Sequence, residues 1–314
     1  MTQKVVLAYD IGGTKVAVGA VSGTGKVLEE LRLPVGTARG KTAVIQQLAN
    51  LGKGVISRYP AIKVAGIASA GPLDPIRGVL LDPTNFGIPK KGGWGEVPLA
   101  HLLEKKLGIP VLLENDAAAA ILAEHWKGAA RGYDNAMILT LGTGLGTGVI
   151  ANGKLVRAGR HMHTEAGHVI LNYQDMSAPC GCGNFGCAEA YLSGRNFALR
   201  YQKKTRNSKI TAPQIADLAR RGDRAALQAF EEYAETMAVA IASYVVLYAP
   251  EIVVLTGSFA ETADLFLKRT QTLLKALLKR RREGIDFMPK IMVSSLQNQA
   301  GLIGGAYVAL HRKS

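Results

Sequence analysis

"VVLAYDIGGTKVAVGAVSGTGKVLEELRL", residues 5–33, reads as three strands joined by two turns. Apolar and β-branched residues fill both arms around the glycine loop, and "SGTGK" supplies the second turn. The same order returns in "NAMILTLGTGLGTGVIANGKLVRAGR", residues 135–160: strand, glycine loop, strand, Asn-Gly turn, strand. The copies share little identity but share their succession of elements. Strand–glycine–strand recurs in any α/β protein, so one copy alone says little. Two copies predict a duplicated unit, with two related halves facing one another across a ligand cleft.

The intervening chain continues the α/β pattern. Residues 42–59 carry Val44, Ile45, Leu48, Leu51 and Val55 at helical spacing, and "KVAGIAS" (63–69) is a buried strand. A helix over 97–108 is closed by Gly108, a strand "IPVLLEND" (109–116) ends in polar residues, and "AAAAILAEHWKG" (117–128) is helical. From Gln214 the chain is helical to Ala249, where Pro250 ends it. "EIVVLTGSFA" (251–260) turns through Gly257 into a helix, followed by a helix over 263–282, the strand "KIMVSSL" and a last helix.

Composition narrows the class. A chain of 314 residues suits about two domains, and 48% hydrophobic with 6% aromatic residues is ordinary for a globular protein. "MTQKVVLAYD" is too short in its apolar stretch for a signal-peptide core. The apolar run over 237–249 is too short to span a bilayer and reads as a buried core helix. With only three cysteines, the expectation is a reducing cytoplasm and no membrane. The net charge of +14 is scattered, with concentrations at 201–209 and 277–283, and reads as a solvated basic face and not a nucleic-acid surface.

Three groups of residues carry chemistry. In the first loop, Gly12 and Gly13 bare the backbone N–H groups toward phosphate, Thr14 adds a hydroxyl and Lys15 a cation. Asp10, at the end of its strand, is placed to hold a hydrated Mg²⁺ beside those phosphates. The second loop, from Gly142 through Thr143 and Gly144 to Gly148, has the same character. Second, Glu114-Asn115-Asp116 puts carboxylates at a strand's C-terminal end, where a general base is well placed. An Asn or Asp there also caps the following helix.

Third, "CGCGNFGC" (180–187) holds every cysteine, and three thiols are one short of a tetrahedral site. His168, twelve residues upstream of Cys180, completes a Cys₃His set that suits zinc. His161 and His163 are rival donors, and a redox role for the thiols is the competing reading. Four protein ligands leave no open position, so the zinc would be structural. It would fix the loop that carries His168 and Glu189 toward the cleft.

Together these residues resemble the ROK family of sugar kinases and related repressors, of the actin–hexokinase–Hsp70 superfamily. "DIGGTK" resembles its first phosphate segment, "LGTGLGTG" the second and "VVLTGSFA" the adenosine segment. "EAGH" followed by "CGCGNFGCAE" matches the family signature, and the resemblance runs from Val5 to about Ala309. It implies a two-lobed actin-like ATPase (ribonuclease H-like) fold with a duplicated mixed sheet. The lobes would be residues 1–117, with 298–314 packing back on them, and 118–297, carrying the zinc loop 168–187.

The family further implies ATP-dependent phosphorylation of a hexose at its 6-hydroxyl, with glucose first, by a cytoplasmic homodimer. Asp116 would be the base, and Asn85, Asn115, Glu165, His168 and Glu189 would hold the other hydroxyls. His168 would serve zinc with one ring nitrogen and sugar with the other. Asp10 would position Mg²⁺–ATP, with Gly12, Gly13, Thr14, Lys15, Thr143, Gly144 and Gly257 lining the nucleotide. Kinases for N-acetylmannosamine, N-acetylglucosamine and fructose share these motifs, as would a non-catalytic sensor. A repressor carries a DNA-binding module ahead of the first loop, for which this chain leaves no room. His163-Thr164 stand where relatives commonly carry Ala-Gly before the glutamate, which bears on sugar choice. Thr256-Gly257-Ser258 stand where a glycine pair is frequent.

Overall fold

The computed structural model describes residues 4–83, 86, 93–279 and 286–312. They form an α/β protein that separates into two compact units. The first comprises residues 1–131, 155–164 and 298–314, and the second residues 132–154 and 165–297.

In the first unit, β1 (Val5–Ile11), β2 (Lys15–Ser22) and β3 (Val27–Pro34) form the antiparallel meander that the opening stretch predicts. After α1 (Lys41–Arg58), β4 (Ala65–Ser69) joins β1 in parallel. A small sheet of β5 (Leu73–Asp74), β6 (Val79–Leu81) and β7 (Glu96–Val97) precedes α2 (Leu99–Leu107). β8 (Val111–Asn115) then pairs in parallel with β4, giving the order β3-β2-β1-β4-β8, and α3 (Asp116–Lys127) follows without a loop.

The second unit repeats this plan. β9 (Ala136–Leu141), β10 (Leu145–Ala151) and β11 (Lys154–Leu155) form its meander. Asn152 and Gly153 both take positive φ, 50° and 71°, as a two-residue hairpin turn demands. Four helices come next: α4 (Ala188–Leu192), α5 (Gly194–Thr205), α6 (Ala212–Arg220) and α7 (Arg224–Tyr248). β12 (Ile252–Thr256), α8 (Leu267–Lys279) and β13 (Lys290–Val293) complete the order β11-β10-β9-β12-β13. Each five-stranded sheet is thus an antiparallel meander extended by two parallel strands.

The last helix, α9 (Ala300–His311), belongs to the first unit. It packs on β1, β4 and α3, and its small residues permit the approach. A Cβ on Gly304 would overlap the Ala119 carbonyl, and one on Gly66 would overlap that of Gly305. Strand β1 is consequently buried on both faces. Leu7, Tyr9 and Ile11 face the core under α1 and α2, while Val6 and Ala8 pack with Leu302, Ala306 and Ala309. Helix α3 packs against α9, and the first unit runs to Arg131 and takes in residues 155–164.

Two expectations need correction. The helix expected after Gly257 is a 3₁₀ stretch, Ser258–Leu265, and α8 begins only at Leu267. The apolar run over 237–249 is not wholly buried: Met237, Ile241 and Tyr244 face the core, whereas Val246 is 69% exposed. Among the described residues no helix is long and apolar enough to cross a membrane. The basic segment 277–283 lies largely outside the described residues.

Candidate active site and metal centre

The β1–β2 loop is tight. The Gly12 N–H donates to the Lys15 carbonyl at 3.0 Å, and Thr37 Oγ1 donates to the Gly13 carbonyl at 3.2 Å. Thr14 and Lys15 are exposed. A Cβ at Gly12 would meet only the Lys15 carbonyl, at an ordinary 3.5 Å, so packing alone does not require glycine there. Bare backbone leaves room for something outside the chain to approach. Asp10 lies one residue before the end of β1, and a Cβ on Gly301, in the first turn of α9, would collide with its carboxyl group. Burial raises its pKa from 3.8 to about 6, with Arg32 opposing and Glu30 reinforcing the shift. Arg32 is reached across the sheet, since Asp10 pairs with Ala17 and Ala17 with Arg32.

At the β8–α3 junction, three polar residues have three different environments. Glu114 is 1% exposed. Arg157 grips its carboxylate with both guanidinium ends, and Arg312 Nη1 lies 3.7 Å from Oε2. Asn115 is the N-cap of α3: Ala117 and Ala118 N–H donate to its Oδ1 at 2.8 and 3.1 Å. The capping reading therefore holds for Asn115, which leaves its Nδ2 as a donor. Asp116 opens the helix and is half-buried, with Oδ1 accepting from Ala117 N–H at 2.8 Å. Asn85 lies outside the described residues.

In the second unit, Gly142–Gly144 joins β9 to β10, the rest of the glycine-rich stretch to Gly148 lies in β10, and the turn is braced by Glu189 from α4. Glu189 Oε2 accepts from Leu145 N–H at 2.9 Å, and a Cβ at Gly144 would come within 2.6 Å of the same oxygen. Gly144 therefore makes room for Glu189, whereas a Cβ at Gly142 would meet nothing within 4 Å. Gly257 has φ 89°, and a side chain there would meet the Leu141 carbonyl at 2.5 Å. Strand β12 thus needs glycine to turn beside β9. Thr143 borders a cavity of about 420 Å³ together with Arg195, Leu199, Gln202, Pro213 and Ser258.

The "EAGH" turn is pinned from two sides. Ala166 N–H donates to Thr147 Oγ1 at 3.0 Å, Tyr244 OH donates to the Ala166 carbonyl at 2.9 Å, and a Cβ on Gly167 would overlap the Leu145 carbonyl. His168 Nδ1 then lies 3.4 Å from Cys180 Sγ, while Nε2 lies 3.9 Å from Glu165 Oε2. Cys182 Sγ and Cys187 Sγ are 3.7 Å apart, and the four donor atoms fall within 4.8 Å of one another. Zinc–sulfur bonds of about 2.3 Å and a zinc–nitrogen bond of about 2.0 Å imply tetrahedral edges of roughly 3.5–3.8 Å. The donor set fits zinc in kind and number, and the 3.4 and 3.7 Å separations lie close to those edges. Among the described residues His161 and His163 stand outside this cluster. Close ligands need sharp reversals: Gly183 and Gly186 have φ 93° and 67°, and Cys180 N–H and Gly183 N–H close the turn on Asn184 and Cys180 carbonyls. Burial pushes the Cys180 thiol up, a proton that a coordinated cation would displace.

The ROK family model matches residues 6–312. The chain belongs to the ROK family. This ROK chain is 33% identical to the glucokinase of Thermotoga maritima over 98% of both chains. The ROK hexokinase of Thermus thermophilus shares 31% identity and a TM-score of 0.83, covering 97% of each chain. The ROK glucokinase of Streptomyces griseus, in complex with glucose and AMPPNP, gives 28% identity and a TM-score of 0.81, over 97% of this chain and 99% of that one.

Some residues of this ROK chain escape a reading of motifs. Gly301 and Arg32 bear on Asp10, yet neither belongs to a loop signature and Gly301 is far from Asp10 in sequence. Arg157 reaches Glu114 across 43 residues, and Arg312 reaches it from the far end of the chain. Arg195, Leu199 and Gln202 line the cavity beside Thr143 from an ordinary amphipathic helix.

Proposed function

We propose that this ROK chain is an ATP-dependent sugar kinase that transfers the γ-phosphoryl group of ATP to the 6-hydroxyl of glucose. The observation that carries the assignment of the base is the division of labour at 114–116. Glu114 is buried against two arginines and Asn115 is engaged in the helix cap, so Asp116 is the carboxylate of the three with a partly exposed face. Relatives called glucokinases, and a relative's complex with glucose and an ATP analogue, support the choice of sugar and donor.

In the proposed mechanism Asp116 orients the 6-hydroxyl and accepts its proton as O6 bonds to the γ-phosphorus and the bond to the β–γ bridging oxygen breaks. The transition state is loose, so alignment and charge stabilisation do most of the work. Gly12, Gly13, Thr14 and Lys15 would hold phosphates, as would Thr143 and Gly144. The cavity beside Thr143 and Ser258 suits the adenosine moiety, and Gly257 turns the chain into Ser258. Asp10 would hold a hydrated Mg²⁺, which neutralises developing phosphate charge when bound. Asn115 Nδ2, Glu165, His168 Nε2 and Glu189 would hold sugar hydroxyls, with Asn85 a further contact. His168 Nδ1, Cys180, Cys182 and Cys187 would hold a structural zinc, whose chemistry is to fix the loop geometry and the tautomer of His168.

N-acetylhexosamines and fructose are the rival sugars, and buried His163 and Thr164 ahead of Glu165 bear on that choice. The reading includes a cytoplasmic homodimer, as the family resemblance implies. A coupled ADP-release assay with Mg²⁺–ATP over hexoses and N-acetylhexosamines tests it. Glucose should give the highest kcat/KM. Preference for another sugar would move the substrate, and no turnover with any would sink the kinase reading.

A further inference from the structure

We infer that Glu114 and Arg157 are positioning residues for the sugar: the ion pair between buried Glu114 and half-buried Arg157 ties the Asn115–Asp116 junction to the hairpin that leads into Glu165. The inference rests on the proposed sugar-kinase reading and adds to it two residues that touch no substrate.

Glu114 sits on β8 immediately before Asn115, and the Asn115 N–H itself donates to Glu114 Oε1 at 3.0 Å. The carboxylate is therefore anchored to the backbone of the strand–helix junction that presents Asp116. Arg157 takes both of its oxygens, at 3.4 Å from Nη1 to Oε1 and more closely from Nη2 to Oε2. That fork geometry fixes direction as well as charge.

Arg157 is equally well tied at its own end. Its Nη1 also donates to the His161 carbonyl at 3.1 Å, its backbone bridges to His163, and the Ala158 N–H donates to the Met162 carbonyl at 2.7 Å. His161 holds positive φ, 59°, a conformation unusual for a residue with a side chain. This closed hairpin ends at Thr164, and the next residue is Glu165. Moving Arg157 relative to Glu114 would thus move residues 157–164, from which the chain runs directly into Glu165.

Charge neutralisation alone does not account for Arg157. Arg312 already places a cation 3.7 Å from Glu114, while its Nη1 donates to the Leu113 carbonyl at 3.0 Å and its Nη2 to the Pro75 carbonyl at 2.6 Å. One guanidinium serves one carboxylate, and the second comes from the hairpin. A buried ion pair is weak evidence for stability but can fix registry between elements.

The test compares Arg157→Met, Arg157→Lys and Arg312→Met, reading Tm and the separate KM values for glucose and Mg²⁺–ATP. Arg157→Met should raise the glucose KM about tenfold or more while the Mg²⁺–ATP KM stays within about twofold. Arg312→Met should lower Tm with both KM values within about twofold. Should Arg157→Met fail to fold, Arg157→Lys keeps the charge but loses the fork, and should raise the glucose KM in folded protein. An unchanged glucose KM in folded Arg157 variants, or equal rises in both KM values, would overturn the inference alone. A wild-type protein that phosphorylates no sugar would instead overturn the functional reading beneath it.

Discussion

The glycines of the two loops look alike in sequence but answer to different neighbours, and this separates two substitutions. Gly142 faces open space, so Gly142→Ala should keep the wild-type Tm within about a degree and raise the Mg²⁺–ATP KM by roughly tenfold if bare backbone cradles phosphate there. Gly144→Ala should push Glu189 off the Leu145 N–H, lowering both Tm and glucose affinity. Thermal melts beside initial-rate kinetics check both. Asp10 gives a pH signature. Its folded pKa of about 6 lies above its ordinary 3.8, so the stability tied to its protonated form is complete below about pH 3.8 and is lost as pH rises through about 6. Asp10→Asn should accordingly melt higher than the wild type at pH 8, with the difference shrinking by pH 5, while turnover falls at least a hundredfold. A wild-type protein that melts higher at pH 8 would contradict the buried-charge account. The roles of such residues were legible where they form a motif, as in "DIGGTK". They were hidden where a long-range neighbour decides, as Gly301 does for Asp10.

Among the elements, the cysteine loop carries the sharpest expectation. Its four donors lie within 4.8 Å of one another in a Cys₃His set that suits zinc, so metal analysis should find about one zinc per chain. Chelation should raise the glucose KM, because the same turn presents His168 Nε2 and Glu165, yet the bulk of each unit should stay folded on its own core. Circular dichroism and kinetics after chelation and zinc re-addition check this, with Cys182→Ser reproducing the loss. Normal glucose affinity in metal-free protein would refute the loop's role. Strands were read well from sequence because alternation and buried apolar runs are local signals, and the Asn-Gly turn adopted the backbone its residues favour. The two misreadings share a cause. Periodicity did not distinguish a 3₁₀ stretch after Gly257 from an α-helix, and the apolar composition of 237–249 did not reveal that Val246 would face outward.

For the whole molecule, the duplicated plan was visible from the order of elements alone, since both sheets follow the same meander-plus-two-parallel-strands scheme. The return of the C-terminal helix to the first unit was expected from the family resemblance, whereas nothing in the sequence order pointed to α3 and the 155–164 hairpin joining it. Helix α9 buries Leu302, Ile303 and Val308. At roughly 1.5–3 kcal/mol each, these three side chains contribute an amount comparable to a typical net stability of about 5–15 kcal/mol. Truncation before residue 298 should therefore leave the first unit open to limited proteolysis, with fragments retaining residues 165–279. Equal protease resistance in the truncated and full chains would contradict that account.

The central claim is that Asp116 is the base of a sugar kinase. Its most direct test is single-turnover phosphorylation of glucose by Asp116→Asn, with glucose binding measured on the same preparation. Glucose affinity should stay within about threefold of wild type while the phosphoryl-transfer rate falls by about 10²–10⁴-fold. A transfer rate like that of the wild type in protein that binds glucose would contradict it.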